Sequence, residues 1–160
     1  ERLSQEEGPS AAGFNAALFD GAGPVYITPP EPLPTIATNP VIAWNGSREA
    51  SLAVKSAMPL LQLAGRATVL TSEDESSGSV RALKQYLDAY NLPMTVQGFS
   101  AGQLTARGRA RALLKAAEGL SADLLVMGGY GENAMSALFG LGRATRKIVT
   151  AARMPVLLHH

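Results

Sequence analysis

The 160-residue chain contains no cysteine. A disulfide framework, a thiolate nucleophile and a cysteine-ligated zinc or iron–sulfur site are all excluded by that absence. Histidine is nearly missing too. His159 and His160 stand side by side at the end of the sequence, where a strand end or a tag remnant explains them better than a metal site. No stretch approaches the roughly 18 apolar residues that a membrane span needs, and no charged-then-apolar leader is visible. A membrane partner is therefore not expected, and a cytoplasmic location is. Aromatic residues make up only 6% of the chain, and none interleaves with Arg107, Arg109 and Arg111 in "ARGRARALLK". That stretch reads as one solvated helix face rather than a base-stacking stripe, so nucleic acid is not an expected partner.

Several catalytic signatures are absent as well. The turn after the first strong strand, "NGSRE", lacks the dinucleotide fingerprint, and "GLGRATRK" does not supply a Walker phosphate loop. There is no G-x-S-x-G elbow and no histidine near a candidate serine. Glu73, Asp74 and Glu75 sit together in a polar loop and do not form a catalytic pair at strand ends. The expectation is a protein that is not an enzyme.

What is present is a sizeable apolar fraction, 46%, in a chain of about one-domain length. From residue 41 onward, apolar runs alternate with helical stripes. "VIAWNG" reads as a buried strand ending in a turn. Ala50, Val54, Met58 and Leu61 then form one helical face over residues 47–64, with Ser47 as N-cap and Pro59 as an expected kink. "ATVLTS" is a second strand, and Val80, Leu83, Leu87 and Tyr90 mark a second helix. "MTVQGFS" is a third strand, and Ala110, Leu113, Ala117 and Leu120 mark a third helix. "ADLLVMGG" is a nearly pure apolar strand of the kind covered on both faces, which argues for a parallel sheet. A helix over residues 143–153 leads into a fifth strand, "PVLL". The fold class expected is α/β: a doubly wound, five-stranded parallel sheet.

Ligands of such sheets bind at the carboxyl ends of strands where the strand order reverses, here near Asn45 and Gly129. The stretch "MGGYGENAMSALFGLGRAT", residues 127–145, holds five glycines and one acidic residue, Glu132, and leads into a helix. Backbone amides at a helix start favour an anion, and glycine lets a phosphate approach them. Spacing alone leaves a phosphate cradle and a simple tight turn equally open. The charge distribution favours an anion near the second half: residues 1–100 carry six Lys/Arg against ten Asp/Glu, and residues 101–160 carry eight against three.

Two segments, "NPVIAWNGSREASLAVKSAMPLL" and "ADLLVMGGYGENAMSALFGLGRATRKIVTAARMPVLL", resemble the universal stress protein family in order and spacing over residues 40–160. The resemblance implies an adenine nucleotide alpha-hydrolase-like sheet with strand order 3-2-1-4-5. It also implies a stress-response role exercised through dimers or partners, and in some members ATP bound by a G-2x-G-9x-G-[ST] motif. Gly128 and Gly131 match the first two glycines. The third falls on Gly142 only after one inserted residue, and Arg143, followed by Ala144 and Thr145, stands where the family has Ser or Thr. By the same resemblance Ala43, Trp44, Asn45 and Ser72 border the base and ribose, with Asn45 in place of an aspartate, and Met127 lines the base or ribose. The implied cofactor is ATP or a related adenine nucleotide, with magnesium accompanying it. The alternatives are a non-nucleotide-binding dimerisation module of the same fold and, third, a slow ATP hydrolase.

Residues 1–39 need a separate account. "FDGAGPVYI" resembles "TAARMPVLL": a helix end, a small-residue turn, then Pro-Val and an apolar strand. Residues 1–30 read as the helix-strand tail of a preceding repeat, residues 31–39 as a proline-rich linker, and residues 40–160 as the complete domain. Strands 24–28 and 155–159 are expected to pair antiparallel, either within a tandem chain or across a homodimer.

Overall fold

The computed structural model describes residues 21, 23–31, 34–72, 77–99, 105–129 and 143–160, together with Gly13, Ala16 and Ala17. The helix expected ahead of residue 24 and the greater part of the glycine loop lie outside the described residues.

Among the described residues six strands form one sheet: β1 (Val25–Ile27), β2 (Pro40–Trp44), β3 (Ala67–Thr71), β4 (Met94–Gly98), β5 (Leu124–Gly128) and β6 (Val156–His159), in the spatial order β1-β6-β5-β2-β3-β4. All neighbouring pairs are parallel except β1 and β6. Counted from β2, the five parallel strands follow the order 3-2-1-4-5. β1 is added beyond the fifth, antiparallel, with Val25 opposite Leu158 and Ile27 opposite Val156.

Helices α1 (Arg48–Ala64), α2 (Gly78–Asp88), α3 (Ala106–Gly119) and α4 (Arg143–Ala151) connect the strands. The alternation of side chains along each strand sorts them into two layers. Ile42, Trp44, Val69, Leu124, Val126 and Leu157 face α1 and α2. Val41, Leu70, Leu125, Met127, Val156 and Leu158 face α3 and α4. β5 is central and buried on both faces, which is why its sequence is an unbroken apolar run. Each fully buried Leu or Ile, such as Ile42 and Leu125, contributes about 1.5–3 kcal/mol.

Local sequence sets the helix boundaries. Ser47 caps α1, its hydroxyl accepting the Ala50 amide at 3.1 Å, and Gly65 ends it in the left-handed conformation. Ser77 and Thr105 cap α2 and α3 in the same way. The expected interruption at Pro59 does not end α1, which runs on to Ala64. Pro59 lies on the exposed side, where the Lys55 carbonyl that loses its donor can meet solvent.

The second helical stripe needs correction at its end. Tyr90 is not part of the buried face but is 45% exposed, beyond the end of α2. Asn91 turns the chain at φ 54°, and Leu92, its amide bonded to the Leu87 carbonyl at 3.1 Å, takes the buried place.

Candidate functional site

The carboxyl ends of β2, β3 and β5 lie side by side. Ala43 pairs in register with Met127, and Trp44 with Thr71, so Asn45, Ser72 and Gly129 follow their strands at one end of the sheet. Ala43 and Met127 both face the α3/α4 layer. Asn45 is exposed, and its Oδ1 accepts the Ser47 amide at 3.1 Å in a turn completed by Gly46 at φ 71°. An aspartate could make the same turn, so asparagine keeps the geometry and removes only the charge. Ser72 is exposed at the end of β3. Trp44 points the other way: its indole is buried among the residues facing α1 and α2, and its Nε1 donates to Ser79 Oγ at 3.2 Å.

Gly128 is explained by packing. A Cβ there would stand 2.6 Å from the Ala50 amide nitrogen and 2.8 Å from the Glu49 carbonyl carbon, so the first turn of α1 sits directly on the strand end. Those obstacles are backbone atoms and cannot swing aside. Strand periodicity carries the signal, because Gly128 shares a face with Leu124 and Val126, both of which lie under α1. Gly129 continues the sheet instead of turning away from it, its amide donating to the His159 carbonyl at 2.6 Å. His159, to which the sequence assigned no role, thus contributes a backbone acceptor.

The far end of the glycine loop returns to the same place. Thr145 is buried, in the first turn of α4, and its Oγ1 donates to the Gly129 carbonyl at 2.8 Å. This bond holds the amino terminus of α4 against the carboxyl end of β5. No acidic side chain stands in the first turn of α4. Its first-turn amides and the positive end of its dipole are suited to an anion. The Thr145 hydroxyl is committed to Gly129. Gly131 and Gly142 lie outside the described residues, and Arg143 and Ala144 are the first two residues of α4.

Ala43, Asn45, Ser72, Met127 and the start of α4 are therefore gathered at one end of the sheet, while Trp44 contributes only backbone there. Among the described residues no group of three or more His, Cys, Asp or Glu could hold a metal ion.

A doubly wound sheet with a glycine-rich loop between its fourth parallel strand and the following helix defines the class of protein. No protein-family model and no curated protein matches the sequence. Among solved structures the chain is similar to a universal stress protein from Archaeoglobus fulgidus DSM 4304, with a TM-score of 0.63 and 19% identity over 85% of this chain and 50% of that one. The chain has the universal stress protein fold, and it spans about half the length of that protein.

Proposed function

We propose that this chain is a universal-stress-type protein that binds ATP or a related adenine nucleotide in a modified glycine-loop site. In this proposal it acts in a stress response, in the cytoplasm, through a dimer or a partner protein, and it does no chemistry on the nucleotide. The observation that carries the reading is the Thr145–Gly129 hydrogen bond, which sets a basic helix start beside the ends of β2 and β5. Ala43 and Met127 would border the base and Asn45 the ribose. The amides of Gly131 and Gly142, with Arg143, would meet the phosphates. The experiment is calorimetric titration of ATP into the folded protein and into Gly131→Val. Binding by the former and weakened binding by a variant that still folds supports the proposal, and equal affinities would overturn it.

A second reading is favoured by a different observation. Gly128 is fully used by its contact with α1, so one position of the motif has a structural duty that needs no nucleotide. In that reading the output is dimerisation alone. Mass spectrometry of the small molecules released on denaturing freshly purified protein separates the two: an adenine nucleotide in stoichiometric amount supports the first, and its absence together with no calorimetric binding supports the second.

A further inference from the structure

On the face of the sheet opposite Ala43 and Met127, a groove of about 430 Å³ opens between α1 and α2. Its walls are Trp44, Val54, Leu83 and Tyr86, and its rim carries Arg48 and Lys55. The size falls within the range of small-ligand pockets, roughly 300–1,000 Å³. Its lining is apolar apart from the two cations and a few hydroxyls, and among the described residues no acidic side chain contributes to it. Arg48 and Lys55 are seven residues apart on one helix, two turns or about 10 Å along the axis, so both stand over the same side of the groove. Among the described residues neither takes part in an ion pair. Glu49, between them in sequence, has its Cβ on the side of α1 next to Gly128, and it is not among the groove's lining residues.

The walls are fixed by bonds that leave the groove open. The Trp44 indole is held by Ser79, and Tyr86 rests against Tyr90 with ring centroids 5.3 Å apart. Solvation alone would favour filling such a cleft with side chains, yet the rim positions bear long cations with no counter-charge among the described residues. The complement of an apolar cleft with unpaired cations at its mouth is an apolar body with one anionic head.

We propose that the groove between α1 and α2 binds a small amphiphilic carboxylate, its apolar body against Trp44, Val54, Leu83 and Tyr86 and its head group between Arg48 and Lys55. The site lies on the sheet face opposite Ala43 and Met127 and does not depend on nucleotide binding.

The chain has a single tryptophan, so its intrinsic emission reports on this groove. The test is a fluorescence titration of the full 160-residue chain with decanoate below its micelle concentration, with decanol as the uncharged control. The expected result is a saturable change with decanoate and at least about tenfold weaker binding of decanol. Replacing both cations, Arg48→Gln with Lys55→Gln, should weaken decanoate by about tenfold or more. Ala82→Leu, at an exposed helical position on the groove wall, should also weaken it while the thermal midpoint stays put. Excess ATP should leave decanoate binding unchanged, which keeps this result distinct from the nucleotide titration. Absence of a saturable signal, equal affinity for decanol, an unaffected double variant or displacement by ATP would each overturn the proposal. So would a wild-type dimer that Ala82→Leu converts to monomer, because a second copy would then be what covers the groove.

Discussion

The carboxylate of Asp123 accepts the backbone amide of Asn39 at 2.7 Å, tying the entry of β5 to the entry of β2 across 84 residues of chain. It also accepts the Thr38 amide at 2.9 Å and the Thr38 hydroxyl at 2.6 Å. Asn39 answers with its own side chain, donating to the Leu120 carbonyl at 2.6 Å. The end of the proline-rich segment is thus fixed to the domain. Burial works to raise the Asp123 pKa, and the hydrogen bonds from Thr38, Asn39 and Thr35 more than offset it, holding the group below its ordinary value of 3.8. Asp123→Asn should cost about 1–2 kcal/mol at neutral pH, read by urea denaturation. A depressed carboxyl contributes stability that is fully present above the ordinary value and fades as pH falls through the folded one. The gap between wild type and variant should therefore close below about pH 3.8. A gap that persists unchanged there would show that the charge is not what Asp123 contributes.

Gly128→Ala should lower the free energy of unfolding by about 1–3 kcal/mol, because the added methyl meets the backbone of Glu49 and Ala50. Since the strain lies in packing, the loss should appear without any nucleotide present. A variant as stable as wild type would mean that α1 yields easily.

Thr145→Val keeps the shape of the side chain and leaves the Gly129 carbonyl without its donor. A loss of about 1–3 kcal/mol is expected, with Thr145→Ser recovering most of it. If the site is as proposed, calorimetry should also show weaker ATP binding in the valine variant and near-normal binding in the serine variant.

Arg143→Ser tests the residue that replaces the family's hydroxyl. A guanidinium on phosphate gives a charge-assisted contact that salt screens, so the serine variant should bind ATP more weakly and with a flatter salt dependence. Tighter binding would show that Arg143 obstructs the site.

Removing residues 1–31 deletes β1 but spares Thr35, Thr38 and Asn39, which serve Asp123. The β6 edge should then be open to another strand, and size-exclusion chromatography should show a larger species or aggregation. A truncated chain with the same elution and melting temperature would show that β1 protects nothing.

The parallel sheet was legible because its signals are local. β5 is covered on both faces and so is uniformly apolar, and Ser47, Ser77 and Thr105 announce helix starts by hydroxyls that cap them. Even the antiparallel match of β1 with β6 could be read, since both are Pro-Val strands following a helix-like segment. The ends of α2 and α3 were less clear, because Asn91 and Ser121 take the left-handed conformation without glycine, and Tyr90 therefore mimics one more turn of stripe. At the site, motif spacing located the loop, whereas the duties of Gly128 and Thr145 depend on α1 and β5 meeting in space. Nothing local to Asp123 reveals a partner 84 residues away. The groove at Trp44 was hidden for the same reason: its two helices are separated by a whole strand.

The pairing of β1 with β6 has a consequence for assembly. A strand edge can be used once, so while Val25 to Ile27 lies along Val156 to Leu158 no second molecule can add to β6. The chain carries its own competitor, attached by a short tether that keeps its local concentration in the millimolar range or above. Self-association through that edge would require β1 to detach first, or two molecules to trade the segment reciprocally. Either route makes assembly slow and dependent on protein concentration, and what remains outermost is a strand of three residues bracketed by Pro24 and Pro29, too short to recruit another.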